Sequence, residues 1–200
     1  MNFLNNLSQQ PKRLFVLVSA ALIVMFLLLL TPLITARTLG TKVTLNYQSF
    51  YVDPGYTLYP QLSLEYVEKD KLPCLLNSIF YYSDSVDDAY QQLDVIDTFY
   101  VMLEEQNGIY VMSNVLSSRP TEGVYLTADY AYLERAMNAV DNSIVWQDDF
   151  SGIRLPIMNG MGITAPQGLS QFKQDQILAG TATLTAYVYN GELYLVDFNL

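Results

Sequence analysis

The chain has 200 residues, a net charge of −10, no histidine and one cysteine. Without histidine, Ser-His and Cys-His nucleophile systems, imidazole general bases and most zinc or transition-metal sites are excluded. A lone cysteine also excludes intrachain disulfides and cysteine-based clusters, while sixteen Tyr and nine Phe supply the buriable surface of a folded domain.

From Leu14 to Ala36 the chain runs 23 residues without a charge. At about 1.5 Å per residue a helix of that length covers roughly 34 Å, enough for a hydrocarbon core of about 30 Å. A helix in lipid satisfies its own backbone hydrogen bonds. Lys12 and Arg13 precede the run, so the positive-inside rule places residues 1–13 in the cytoplasm and residues 37–200 outside it. Arg37 and Lys42 weaken this asymmetry without reversing it. The rival reading is a signal peptide cleaved after Ala36. Signal-peptide apolar regions usually run about 7 to 15 residues, shorter than this one, which favours an uncleaved single-pass anchor in the cell membrane. Residues 37–200 carry eight basic and twenty acidic side chains, a net charge of −12. Such a domain is repelled by nucleic acid and by anionic headgroups, and solubility alone also accounts for the charge.

Residues 42–52 alternate Val43, Leu45 and Tyr47 against Thr44, Asn46 and Gln48, predicting a strand. Asp53 and Pro54-Gly55 predict a turn. A second strand follows at about 61–67, with Leu62, Leu64 and Tyr66 inward and Gln61, Ser63 and Glu65 on the solvated face. Residues 70–92 read as a long acidic connection, in which Cys74 is expected to be a small buried apolar residue. Residues 97–118 predict a hairpin turning at Asn107-Gly108, because both central positions of a type I′ turn need positive φ. Strands are predicted at 123–133, 143–147 and 152–158. Short helices compete at 133–140, through Leu133, Met137 and Val140, and at 166–178, through Leu169, Phe172 and Ile177. A closing hairpin at 181–200 turns at Asn190-Gly191. The predicted class is mainly β: one transmembrane helix at 14–36, then an antiparallel β-sandwich or barrel-like extracytoplasmic domain with one or two short helices.

Candidate chemistry is sparse. The pairs Asp87-Asp88, Glu104-Glu105 and Asp148-Asp149 are neighbours, and neighbours on a strand face opposite ways. No calcium-loop pattern occurs. An anchor followed by an exported β domain is also the layout of type I signal peptidases, which use a Ser-Lys pair. Here residues 37–48 contain no serine; the nearest are Ser49 and Ser63, and Lys69 and Lys71 flank Asp70 in a charged turn unsuited to a lysine base. No catalytic residue, metal ligand or cofactor site is therefore expected. Tyr47, Tyr51, Tyr56, Tyr59, Tyr66, Tyr81 and Tyr82 crowd one region. Strand packing explains most of them, and Tyr56, Tyr59, Tyr81 and Tyr82 are the candidates for a partner-binding surface.

The order of features resembles the GDYXXLXY protein family, bacterial membrane-anchored proteins of uncharacterised function. "GTKVTLNYQSFYVDP" (40–54) resembles its opening strand, and "YPQLSLEY" (59–66) occupies its naming motif. "YVMLEEQNGIYVMSNVLSSRP" (100–120) with "GVYLTA" resembles its central hairpin, and "NGMGITAPQG" (159–168) its later turn. Departures are clear: in the naming motif only Leu64 and Tyr66 match, and Gln167 stands where the family has Glu. The resemblance implies a shared topology. Taken together, the expected function is a non-enzymatic domain that binds or stabilises another envelope or membrane protein. The alternatives are a cell-surface glycan- or peptide-binding module and an envelope hydrolase using carboxylates or Ser-Lys.

Overall fold

The computed structural model describes residues 11–52, 57–83, 86–135, 150–157, 163–164, 175–177 and 179–199. Two compact units divide after Gly40.

The first unit holds helix α1 (Pro11–Leu39), which overruns the predicted span at both ends. Its stretch Phe15–Leu39 is long and apolar enough to cross a membrane, and its apolar side chains stand exposed, Phe15 at 72% and Leu29 at 69%. Thr31, Thr35 and Thr38 each donate a 2.8 Å hydrogen bond to the carbonyl four residues earlier. These hydroxyls are thus satisfied within the helix, as an apolar surrounding requires. Pro32 lies inside this helix and removes one backbone donor from its ladder.

The second unit is antiparallel β with short helices. In chain order it contains β1 (Thr41–Val52), β2 (Thr57–Leu62), β3 (Tyr66–Glu68), α2 (Cys74–Tyr82), α3 (Val86–Asp94), β4 (Phe99–Gln106), β5 (Ile109–Leu116), β6 (Val124–Ala128), β7 (Tyr132–Arg135), β8 (Phe150–Arg154), β9 (Ile163–Thr164), β10 (Ala182–Tyr189) and β11 (Glu192–Asn199). Among the described residues three sheets form, ordered β11-β10-β1-β2-β9, β3-β8-β7 and β5-β4-β6, and one curls into a half-barrel. The mainly β class with an N-terminal apolar helix is therefore as the patterning predicts.

The period-2 alternation of β1 puts Val43, Leu45 and Tyr47 into the core at 1%, 0% and 0% exposure. They meet Ala186, Leu184 and Ala182 of β10 in register. Phe99, Val101 and Leu103 of β4 join Leu126 and Val115 in the same core. Both Asn-Gly turns form as predicted, with φ of +54° and +85° at Asn107-Gly108, and +53° and +86° at Asn190-Gly191.

Three expectations are corrected. The strand expected at 61–67 is broken: β2 ends at Leu62, a 3-10 turn spans Ser63–Glu65, and β3 begins at Tyr66. The turn resets the alternation, so Glu65 is buried (4% exposed), whereas Tyr66 is only half-buried. Its carboxylate accepts the Leu62 N–H at 3.1 Å and the Ile157 N–H at 2.6 Å. The acidic connection at 70–92 instead carries α2 and α3. Leu76 and Ile79, then Ala89 and Leu93, give each helix a buried stripe at helical spacing. Asp87 and Asp88 occupy the first turn of α3, where the helix dipole favours negative charge. Cys74 is exposed, not buried, because it opens α2 on the side away from Leu76 and Ile79.

Among the remaining predictions, residues 123–133 divide into β6 and the start of β7; Tyr132–Arg135 is strand, while residues 136–140 of the helix expected at 133–140 lie outside the described residues. The strand at 152–158 is realised as β8, which ends at Arg154. Residues 143–147 lie outside the described residues, as does most of the helix expected at 166–178, of which a helical turn at 175–177 is described.

Candidate functional site: a groove at the tip of the C-terminal hairpin

The Asn190-Gly191 turn is docked onto β6 rather than left in solvent. Thr127 donates to the Gly191 carbonyl from both its backbone N–H (2.9 Å) and its Oγ1 (3.1 Å). From the loop after β5, the Arg119 guanidinium donates to the Tyr125 hydroxyl (2.8 Å) and to Asn190 Oδ1 (3.1 Å). Only glycine fits at the contact: a Cβ on Gly191 would stand 2.6 Å from Thr127 Cγ2 and 2.9 Å from the Tyr125 ring.

This docking leaves a groove of about 350 Å³ between the hairpin tip, the end of β6 and the segment after β8. Thr127, Asp129, Pro156, Ile157, Gly191, Glu192, Leu193 and Tyr194 line it. One wall is held by Glu65, whose carboxylate fixes the Ile157 backbone. The Tyr194 hydroxyl donates to the Glu192 carboxylate. That hydrogen bond, helped by partial burial and by the negative charge of Glu192, pushes the Tyr194 phenol up to about 12. The groove thus presents two carboxylates beside apolar walls, and no lysine or arginine lines it among the described residues. No group of three or more metal-ligating side chains occurs among the described residues. Chemically the groove offers hydrogen-bond acceptors and negative charge next to apolar surface, an arrangement suited to a cationic or hydroxyl-bearing group.

The predicted tyrosine surface is brought together in part. Tyr81 and Tyr82 close α2 at 79% and 77% exposure, their rings edge-to-face with centroids 5.0 Å apart. Tyr90 of α3 is 48% exposed. Tyr56 and the side chain of Tyr59 lie outside the described residues. Tyr47 is core, edge-to-face with Phe198 at 5.2 Å, and Tyr66 lies under the Arg154 guanidinium at 5.3 Å.

Of the groups weighed for a Ser-Lys pair, Ser63 is exposed in the 3-10 turn, and Lys69 and Lys71 are exposed in the turn after β3. Lys71 pairs with Glu68 at 2.5 Å. That hydrogen bond raises the lysine's pKa, opposite to the depression a lysine base needs. Glu104 and Glu105 are exposed at the end of β4, and Asp148-Asp149 lie outside the described residues.

Sequence reasoning missed Asp129, Glu192 and Tyr194. Asp129 stands 63 positions before Glu192 with no shared motif, so only the docking of the hairpin makes them neighbours. No protein-family model, curated protein or solved structure matches this chain.

Proposed function

We propose that this chain is a single-pass membrane protein whose β domain binds or stabilises another envelope or membrane protein without catalysing a reaction. Residues 1–13 are then cytoplasmic, residues 14–36 the anchor and residues 37–200 extracytoplasmic, as in the GDYXXLXY proteins that the sequence resembles. The observation supporting this reading is the Tyr81-Tyr82 pair. Two large amphipathic side chains stand together in solvent at the end of a helix whose other face is fully used in the core. Aromatic rings of this kind are over-represented at protein contacts because they bury much area for little conformational entropy.

The test is crosslinking in intact cells through an affinity-tagged full-length chain, followed by mass spectrometry. A single recurrent membrane or envelope protein, lost in a Tyr81→Ser/Tyr82→Ser variant, supports the reading. A crosslinking profile indistinguishable from that of an unrelated single-pass protein sinks it. A second reading, a peptide-binding module, draws on the groove at the hairpin tip.

A further inference from the structure

We propose that the groove at the tip of the C-terminal hairpin receives a lysine or arginine side chain presented on an extended segment of a partner protein. This rests on the reading of the domain as a protein-binding module, and it names the surface and the chemistry of the partner.

Three features of the groove select that occupant. Pro156, Ile157 and Leu193 provide apolar wall along which the aliphatic stem of a long basic side chain can lie. Asp129 and Glu192 provide the acceptors that its charged head needs, and charge-assisted hydrogen bonds of this kind are the strong ones. Among the described residues the lining has no cation of its own to neutralise them. The surroundings reinforce the charge preference: all twenty acidic residues of the chain lie beyond residue 40, with seven basic ones. Their summed field draws cations toward the domain and repels anionic ligands.

The extended form of the segment follows from β11. It is the terminal strand of its sheet among the described residues. From Glu192 to Leu195 it pairs with β10 in unbroken register, and the register then shifts before Asp197. The regular stretch of edge therefore begins at the groove and is only four residues long. A strand laid along Glu192–Leu195 sends alternate side chains to the same face, and the basic side chain proposed for the groove is one of those on its side. The shift exposes Val196 and limits pairing beyond it, as bulges on edge strands do. A bare metal ion is a poorer occupant, because among the described residues the groove supplies two carboxylates and no group of three metal-ligating side chains.

The experiment uses the full-length chain in detergent micelles and a fluorescein-labelled peptide, acetyl-Thr-Val-Arg-Val-Thr-amide. Its control is the same peptide with citrulline, the neutral isostere, in place of arginine. Fluorescence anisotropy is expected to show saturable binding of the arginine peptide. The citrulline peptide is expected to bind at least about tenfold more weakly, the factor that loss of one charge-assisted hydrogen bond brings. An Asp129→Asn/Glu192→Gln variant is expected to lose the same preference. Both side chains are exposed, and circular dichroism checks that the variant folds. Equal affinity for the two peptides, absence of saturable binding, or an unchanged preference in the double variant overturns the proposal. If the variant fails to fold, the arginine-citrulline comparison on the unaltered chain still decides. A partner that crosslinks equally well to the folded double variant in cells overturns the groove assignment alone, leaving the binding-module reading in place.

Discussion

Glu65 accepts a 2.6 Å hydrogen bond through Oε1 from the backbone N–H of Ile157, 92 positions later in the chain. Its other oxygen accepts the N–H of Leu62 at 3.1 Å, and its own backbone carbonyl accepts the N–H of Leu155 at 2.8 Å. One residue therefore closes the break between β2 and β3, and clamps the segment after β8 that forms a wall of the groove. A buried carboxylate here does structural work that an alternating strand pattern assigns to solvent.

Replacing Glu65 by Ala leaves those two backbone donors without this acceptor. At about 1–3 kcal/mol for each buried group left unsatisfied, a loss of about 2–6 kcal/mol is expected. Glu65→Gln keeps one acceptor oxygen and costs less. Urea denaturation of the full-length chain in micelles, followed by circular dichroism, checks the ranking. A loss below about 0.5 kcal/mol for the alanine variant refutes the clamp.

The glycines of the two Asn-Gly turns give a graded test. Gly108 has open space around it, so Gly108→Ala pays mainly for its positive φ, about 1 kcal/mol. Gly191 adds steric overlap with Thr127 and Tyr125, so Gly191→Ala is expected to cost more than Gly108→Ala. Gly152 of β8 lies closer still: a Cβ there would stand 2.4 Å from the Val67 carbonyl and 2.7 Å from the Tyr66 ring. Gly152→Ala is expected to be the most damaging of the three, and a thermal melt of each variant orders them.

Alkaline pH separates two tyrosines. Burial pushes the Tyr47 phenol up to about 12, and the Glu192 hydrogen bond raises Tyr194 to about 12. Above the ordinary tyrosine value of about 10, the unfolded chain releases these protons while the folded chain keeps them. Their contribution to stability is therefore complete below pH 10 and is lost as pH rises through about 12. Ultraviolet difference absorbance on Tyr47→Phe and Tyr194→Phe assigns the two late titrations. The buried Tyr47 hydroxyl has no hydrogen-bond partner among the described residues. Tyr47→Phe is therefore also expected to stabilise the fold by about 1 kcal/mol at neutral pH.

Cys74 is expected to react with a maleimide in the native protein without denaturant, at one thiol per chain, because it is exposed at the start of α2. Labelling that requires unfolding would place it in the core instead.

For the exposed tyrosine pair, Tyr81→Ser/Tyr82→Ser is expected to change stability by no more than about 0.5 kcal/mol. A larger loss by urea denaturation would show that the rings support the fold rather than face a partner.

Legibility followed the range of the forces involved. Asn107-Gly108 and Asn190-Gly191 were readable because turn geometry is a property of adjacent backbone dihedrals. The same was true of β1, whose alternation partitions Val43, Leu45 and Tyr47 from their polar neighbours. The helices α2 and α3 were not legible: their buried stripes, Leu76 with Ile79 and Ala89 with Leu93, are two residues each within an acidic segment that reads as a connection. Tyr81 and Tyr82 were found as candidates by composition; their exposure depends on which face of α2 the core takes.

By itself, then, the sequence determined an apolar helix, a mainly antiparallel domain and the positions of its two tight turns. Each depends on residues within a few positions of one another, through backbone sterics and the partition of apolar side chains from water. Only the tertiary structure decided that Glu65 is buried, that Gly191 seats on Thr127, and that Asp129 and Glu192 share one groove. These relationships join segments separated by tens of residues. A carboxylate or a glycine carries no mark of its distant neighbour, and the pairing exists only once folding has closed the loops between them.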